Sequence, residues 1–242
     1  MEKVILERFI SKYNLGGSAE AVLWVKKDDE LKTRFISDDK NVLGVVTLDG
    51  FKELDDSNIP IPDTTQLKSL LGVLESDIKL SFGKTGTRAS SIQIKDGSTK
   101  VAFMLADEKI IPEVPNLKQL PPFEIEISVD KKFSNTFVKA KNAMGDSADT
   151  FTIISTGGKK AQVVLGHSSI NSNRVTLEAL APVNDTIDAI SFSAKYLREV
   201  LLANKECESG IMKIASKGLC YVTFEDTDGF SSDYYLFQVQ KA

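Results

Sequence analysis

Few residues in this chain have the types and spacing that catalysis requires. The segment Gly83-Lys84-Thr85-Gly86 contains a Gly-Lys-Thr core, but the residues before it lack the glycine spacing of a phosphate-binding loop. A hairpin turn explains this segment better. The single histidine, His167, stands beside Ser168 and Ser169, and one histidine in a predicted loop is weak support for a catalytic triad. The sequence therefore predicts a protein that is not an enzyme.

Residues that could ligate a metal ion are equally sparse. Cys207 and Cys220, with one histidine elsewhere, match no zinc-binding spacing, and two reduced thiols inside the protein are the simpler interpretation. Asp226 and Asp228 stand before a glycine and predict a turn, because a calcium loop needs more carboxylates in a fixed register. We expect no metal ion and no cofactor.

Positive charge concentrates in the segments predicted as helices. The net charge of −4 argues against a surface that binds nucleic acid everywhere. Together with Lys205 just after the fourth, the four predicted helices nevertheless hold eleven lysines and arginines against four acids, so strands and turns carry the negative balance. Lysine suits helices by propensity alone, whereas cations on one face of an assembly would contact DNA phosphates without reading the sequence. On the second interpretation the DNA-facing residues are Lys3, Arg8, Lys12, Lys68, Lys131, Lys132, Lys139, Lys141, Lys195, Arg198 and Lys205.

Hydrophobic periodicity predicts the elements that would position these cations. Apolar residues at helical spacing place helices at about Glu2–Tyr13, Thr64–Glu75, Lys131–Met144 and Ser193–Asn204. About three strand-like runs, separated by polar turns, follow each helix. One unit of a helix and antiparallel strands thus occurs four times, as an order of elements rather than as repeated residues. The pattern favours an α+β fold.

A proline-rich segment interrupts this pattern in the middle of the chain. Four of the seven prolines fall between Ala106 and Pro122. Proline removes a backbone donor and fixes φ, so this segment is neither a central strand nor a helix. We predict an N-terminal domain over 1–105, an interdomain connector over 106–122 and a C-terminal domain over 123–242. No run approaches the ~20 apolar residues of a membrane helix, and we expect a cytoplasmic protein.

The C-terminal segment contains four stretches with a recognisable pattern: Ser191-Phe-Ser-Ala-Lys-Tyr-Leu-Arg-Glu-Val-Leu, Gly210-Ile-Met-Lys-Ile, Gly218-Leu-Cys-Tyr-Val-Thr-Phe and Asp233-Tyr-Tyr-Leu-Phe. This pattern resembles the end of DNA sliding clamps, in which a helix with a Tyr-Leu pair precedes three strands and a Tyr-Tyr-Leu strand finishes the domain. The short length of the chain and its compact first domain are most similar to the clamps of T-even-type phages. The pattern is also similar to proliferating-cell nuclear antigen.

The resemblance implies a two-domain clamp fold with antiparallel sheets outside and four helices on the inner face of a ring. Three copies would encircle duplex DNA as a processivity factor of a viral replisome, after an ATP-dependent clamp loader opens the ring. The C-terminal tail of a DNA polymerase would dock beside the connector. Two features depart from the family pattern: Glu2 and Glu7 lie on the first helix, and Lys68 is the only cation of the second. The residues implied in partner binding are Val42, Ile111, Val114, Leu117, Tyr235 and Phe237.

Two other functions remain open at this stage. One is a structural or assembly protein of similar topology, such as a virion component or a ring without DNA. The other is a monomeric clamp-like accessory protein of a viral replication complex. A structural ring has no need of paired lysines on its helices, and a measurement of molecular size separates a monomer from a trimer.

Overall fold

A computed structural model describes residues 1–75, 77–85, 88–117, 119–155, 160–167, 173–180 and 187–239. The predicted α+β class is confirmed, with four α-helices and antiparallel sheets among these residues. The chain forms two compact units. The N-terminal unit comprises Met1–Asp38, Gly44–Pro115 and Thr227–Ser232, and the C-terminal unit comprises Asp39–Leu43, Asn116–Asp226 and Asp233–Ala242. The domain boundaries expected at 105 and 123 stay a prediction.

The N-terminal unit contains two of the predicted helix-and-strand units. Its strands lie in the order β4-β1-β2-β3 in one sheet and β5-β6-β7 in another. The elements are α1 (Lys3–Asn14), β1 (Val22–Lys27), β2 (Glu30–Ile36), β3 (Val42–Asp49, from Gly44 in this unit), β4 (Ser57–Ile61), α2 (Thr64–Leu71), β5 (Lys79–Thr85), β6 (Arg88–Lys95) and β7 (Lys100–Met104).

The C-terminal unit repeats the arrangement. Its strands lie in the order β11-β10-β9-β12 and β15-β14-β13-β8. The elements are β8 (Ile125–Asp130), α3 (Lys131–Met144), β9 (Thr150–Ser155), β10 (Lys160–Leu165), β11 (Val175–Leu180), β12 (Ile190–Ser193), α4 (Ala194–Ala203), β13 (Ser209–Ala215), β14 (Leu219–Glu225) and β15 (Phe230–Phe237, from Asp233 in this unit).

Side-chain caps begin three of the helices. The carboxylate of Asp63 accepts from the backbone N–H of Gln66 at 2.7 Å, and that of Asp130 accepts from Phe133 at 2.6 Å. Ser193 caps α4 in the same way. Each cap satisfies an N–H group that has no partner within its helix. The predicted helices are confirmed, although α2 ends at Leu71 rather than at the expected Glu75.

Aromatic clusters decide which face of each helix is buried. On α1, Phe9 and Tyr13 pack edge-to-face against Trp24 of β1, with ring centroids 5.5 and 6.3 Å apart. On α3, Phe137 packs edge-to-face against Phe151 of β9 at 5.6 Å. Burial of such large apolar side chains drives folding. The face of each helix opposite these rings is consequently the one left to interact with solvent or a ligand.

Three sequence-based expectations differ from the structure. Strand β4 was missed because Pro60 argues against a strand, yet a proline is tolerated on the edge strand that β4 forms. Strand β15 begins at Phe230, four residues before the expected Tyr234. Gly83, Lys84 and Thr85 of the expected hairpin turn belong to β5, which has a bulge at Gly83 and Lys84 and pairs antiparallel with β6 up to Thr85 and Arg88. Gly86 lies outside the described residues.

Candidate nucleic-acid interface and partner groove

Helix α3 exposes a stripe of lysines. Lys132, Thr136 and Lys139 lie at i, i+4 and i+7, which places them one above another on the same helical face. All three are exposed, whereas Phe137 and Ala140 on another face of the helix are buried. The side chains of this stripe therefore project two ammonium groups away from the core.

The other two lysines of α3 are engaged locally. Lys131, with 52 % of its side chain exposed, forms an ion pair with Glu208. Lys141 is half-buried and donates to the backbone carbonyl of Gly145 at 2.6 Å. A cation at this position stabilises the negative C-terminal end of the helix dipole. The predicted cations of α3 thus divide into two exposed groups and two with partners.

Helix α4 extends the cationic face of α3. Lys195 and Lys205 are exposed, at and just beyond the two ends of the helix. The guanidinium of Arg198 donates through Nε to Oδ1 of Asn142 on α3 at 2.7 Å, and it also pairs with Glu199. This hydrogen bond and the contact between α3 and α4 make the two helices neighbours within the C-terminal unit.

Helix α1 uses its cations in a different way. Lys3 donates to the carbonyl of Leu74 at 2.7 Å and lies 3.7 Å from Glu7. Arg8 forms an ion pair with Asp228 at 2.6 Å, and its guanidinium lies 4.6 Å from the centre of the Phe230 ring. Only 20 % of each cationic side chain is exposed. Both groups are held by other residues of the N-terminal unit.

Lys12 is the most deeply placed of the predicted contacts. Its side chain has no exposed surface, and its ammonium lies 5.2 Å from the centre of the Phe230 ring. Arg8 and Lys12 are four residues apart, so the same ring meets a cation from two successive turns of α1. The ammonium of Lys12 is enclosed by protein and does not belong to an exposed cationic face.

Acidic groups occupy the surface around the first turn of α1. Glu2, Lys3, Val4, Glu7 and Asp77 line a cavity of about 310 Å³. Glu2, Val4 and Asp77 are exposed. Helix α2 adds one exposed cation, Lys68, to the N-terminal unit. Within the described residues, the helices of this unit present less accessible positive charge than α3 and α4.

The connector forms a groove against the first sheet of the N-terminal unit. Ile111 and Val114 line a cavity of about 460 Å³ together with Leu23 and Val25 of β1. The lining also includes Lys32, Thr33 and Arg34 of β2 and Glu108, Pro112 and Glu113 of the connector.

Two hydrogen bonds fasten the connector at either end of this groove. The backbone N–H of Ala106 donates to the carbonyl of Pro60 at 3.2 Å. Arg34 donates to the carbonyl of Pro115 at 2.6 Å.

Sequence reasoning missed Leu23 and Val25 as residues of this groove. Their signal was available, because both are apolar and alternate with the buried Val22 and Trp24 on the other face of β1.

The remaining predicted partner residues belong to the C-terminal unit. Val42 is buried, Leu117 is 37 % exposed and Phe237 is half-buried. The ring of Tyr235 stacks on that of Tyr221 with centroids 5.1 Å apart. The structure therefore brings Ile111 and Val114 together in one groove, and it places Tyr235 in an aromatic pair on the outward face of β14 and β15.

Burial keeps the hydroxyl groups of this aromatic pair protonated. Desolvation, and then donation of a hydrogen bond to Asp233 at 2.6 Å, raise the pKa of Tyr221. Desolvation and the negative charge of Asp233 raise the pKa of Tyr235. A phenol with a raised pKa stays neutral at physiological pH. The pair is therefore an uncharged surface that offers ring contacts and hydroxyl hydrogen bonds.

Comparison of the sequence finds no matching protein-family model and no matching curated protein. Comparison with solved structures does find matches. The structure of this chain matches that of proliferating cellular nuclear antigen from Entamoeba histolytica at 17 % identity over 99 % of this chain and 96 % of that one, with a TM-score of 0.74. It also matches a PCNA2–PCNA3 complex from Sulfolobus tokodaii at 13 % identity over 96 % of both chains, with a TM-score of 0.74.

This chain has the sliding-clamp fold. Both matches span almost the whole chain, so the fold expected from the C-terminal residue pattern is confirmed for both units. At these identities the likeness concerns the fold alone. The closer similarity to the clamps of T-even-type phages stays a prediction.

Among the described residues, one group of metal-ligating side chains comes together. The ligand atoms of Glu206, Cys207 and Asp226 lie within 4.8 Å of one another. Such groups are common where acids gather at a surface, so the grouping does not by itself make a metal centre. Burial raises the pKa of Cys220, which keeps that thiol protonated and unreactive. The expectations of no metal and no cofactor stay predictions.

The remaining observations concern the predicted aspartate turn, the histidine and the possibility of a membrane helix. Thr227 and Asp228 form the turn that the sequence predicts before Gly229. The carboxylate of Asp228 forms an ion pair with Arg8. His167 is half-buried, and Ser168 and Ser169 lie outside the described residues. None of the helices in the described ranges is long and apolar enough to cross a membrane.

Proposed function

We propose that this chain is a DNA sliding clamp, a scaffold without enzymatic activity that closes around duplex DNA and tethers a polymerase. The observation that carries the proposal is the exposed lysine face of α3 and α4 on a clamp fold whose net charge is −4. Lysines on the regular face of a helix contact phosphates independently of base sequence. A protein that slides needs this kind of contact, because base-specific hydrogen bonds would hold it in place.

The acidic remainder of the chain supports the same function. A surface of one sign repels a polyanion, so duplex DNA would be disfavoured everywhere except at the lysine face. Exposed acids cluster at Asp28-Asp29 and Asp55-Asp56, in turns of the N-terminal unit. Charge segregation of this kind lets a protein with a sequence pI of about 5.3 bind nucleic acid at one place.

The ring would be a homotrimer joined through edge strands and apolar contacts. Strands β7 and β11 each end a sheet, and an unpaired edge offers backbone groups to another chain. Met104 at the end of β7 is 62 % exposed, and Val73 after α2 is 63 % exposed. Beside β11, Phe133 and Leu177 line a cleft of about 540 Å³. Insertion of Met104 and Val73 of one copy beside β11 of the next would bury both.

Partner proteins would dock on the connector side. The tail of a DNA polymerase would place apolar side chains in the groove lined by Leu23, Val25, Ile111 and Val114. The residues Val42, Leu117, Tyr235 and Phe237 remain part of the proposed partner surface. An ATP-dependent clamp loader would open the ring, and the setting would be a viral replisome in the cytoplasm of a host cell.

Encirclement is tested by combining molecular size with topological retention. Mass photometry is expected to give a species of about three times 26.5 kDa. The protein is then incubated with a linear duplex that is fixed to a bead at one end, and the free end is closed with a bulky block. An encircling ring resists a wash at high salt, since the wash removes electrostatic contacts only, and it is released when a nuclease cuts the duplex.

Two outcomes contradict the proposal. A monomer that washes off at high salt favours the monomeric accessory protein, and a ring that is never retained favours the structural assembly.

Met104→Asp is expected to shift the protein from trimer to monomer, because a carboxylate would be buried without a partner. Val4→Asp, which changes an exposed valine on α1, is the matched control and is expected to leave the trimer intact.

A further inference from the structure

We infer that the helices of the C-terminal unit make the phosphate contacts, and that the cations of α1 serve to hold the N-terminal unit together. This inference rests on the proposed function and narrows it. The sequence predicts DNA contacts from lysines and arginines of all four helices. The two units differ in how exposed those groups are and in what holds them.

Stripes at matching positions on α1 and α3 differ in residue type and in exposure. On α3 the stripe is Lys132, Thr136 and Lys139. On α1 the same spacing selects Val4, Arg8 and Ser11. A surface that takes its charge from this stripe has two lysines in the C-terminal unit. In the N-terminal unit it has one arginine, which an aspartate already neutralises.

The cationic side chains of α1 already have contacts with other residues of the N-terminal unit. Lys3 is bound to the carbonyl of Leu74, Arg8 to Asp228, and Lys12 is enclosed against Phe230. A phosphate could recruit Arg8 only by breaking its ion pair. It could recruit Lys12 only by opening the packing around a side chain with no exposed surface. Both steps cost free energy that an exposed lysine does not require.

Carboxylates on and beside the first turn of α1 also repel phosphate groups. Glu2 is exposed, 38 % of the side chain of Glu7 is exposed, and Asp77 stands beside them on the same cavity. A phosphate near this surface meets three carboxylates and one partly exposed ammonium. The surface around the first turn of α1 therefore disfavours the DNA backbone at low salt.

The lysines of α3 and α4 meet less opposition, although Lys132 shares a cleft with Asp130 and Glu178. Lys132, Lys139 and Lys205 have no ion-pair partner within the part of the chain that the structure describes. Lys195 is exposed and lies over the ring of Tyr196, an arrangement that leaves its charge intact. These four ammonium groups can release counterions from DNA without first breaking a protein contact.

In a ring of three copies, the helices of each C-terminal unit would contribute a lysine face, and those of each N-terminal unit would contribute a face that is neutral or acidic. Fewer phosphates would be engaged at once than the eleven cations per chain indicate, so the salt dependence of binding would be correspondingly shallow.

Two double variants with the same change of charge test the inference. Lys132→Gln/Lys139→Gln removes two lysines from the C-terminal unit, and Lys3→Gln/Lys68→Gln removes two from the N-terminal unit. Binding to a fluorescent 30-base-pair duplex is measured by anisotropy across a series of salt concentrations. Each lost phosphate contact lowers the slope of log K against log salt by about 0.9. Thermal unfolding of both variants checks that the fold is retained.

The two double variants are expected to reduce the salt slope by unequal amounts. For each copy that contacts the DNA, Lys132→Gln/Lys139→Gln should reduce the slope by about 1.8, and the N-terminal pair should reduce it by less than about 0.9. Equal reductions by the two pairs would overturn the inference while leaving the clamp proposal intact. If the unaltered protein shows no salt-dependent binding at all, the proposed function fails and the inference fails with it.

Discussion

Helices α1 and α3 occupy equivalent places in the two units, yet the same residue types do different work in them. Each packs aromatic side chains onto a sheet of its own unit and carries at least three cations. On α1 those cations are buried or bound, whereas on α3 two of them project freely along one stripe. A lysine on a helix is therefore a binding group or a structural group according to what packs against that helix.

The largest expected difference between the two helices is in stability. Lys12→Ala removes a side chain with no exposed surface, and the loss of its buried stem should cost about 2–4 kcal/mol of unfolding free energy. Lys139→Ala changes an exposed residue and should stay within about 0.5 kcal/mol of the unaltered protein. The urea midpoints of both variants give the comparison. Similar midpoints would mean that Lys12 is not a structural group.

A smaller difference is expected between two ion-paired cations. Arg8→Gln removes the pair with Asp228 and the contact with the Phe230 ring, which together should cost about 1 kcal/mol. Lys131→Gln removes a pair whose side chains are 52 % and 85 % exposed, so water already screens it and the cost should be close to zero. Chemical unfolding at low and high salt measures both. A larger cost for Lys131→Gln would reverse the assignment of roles.

The smallest expected effect is a gain in DNA binding. Glu2→Gln/Glu7→Gln removes two carboxylates from the surface of α1, and affinity for duplex DNA at low salt should rise by about two- to fourfold. The gain should vanish near 1 M salt, where the screening length is about 3 Å. Glu30→Gln/Glu113→Gln is the matched control, because neither residue lies on α1 or lines the cavity beside its first turn. An equal gain in the control would show that only net charge matters.

Amphipathic periodicity predicted the helices well, and it did so because their signals are local. The spacing of Phe133, Phe137, Ala140 and Met144 defines the buried side of α3, and Asp130 marks where the helix begins. Strand β4 escaped prediction since local reasoning penalises Pro60, whereas its position at a sheet edge makes the missing N–H harmless.

The candidate site was predicted only in part. The exposed lysines Lys132, Lys139, Lys195 and Lys205 could be listed from their helices, and the partner groove contains the expected Ile111 and Val114. Leu23 joins them although it lies far away in the chain, because the connector crosses β1. Residues separated in this way come together through tertiary packing, which periodicity does not describe.

The sequence by itself determined the order of helices and strands, the fold class and the inventory of charges, since all three follow from neighbouring residues and composition. Tertiary structure alone decided which charges face outward. Arg8 meets Asp228, which lies 220 positions later in the chain, and Lys12 is enclosed beside the ring of Phe230. Burial depends on such distant neighbours, and a charge that is buried or paired is no longer available to DNA.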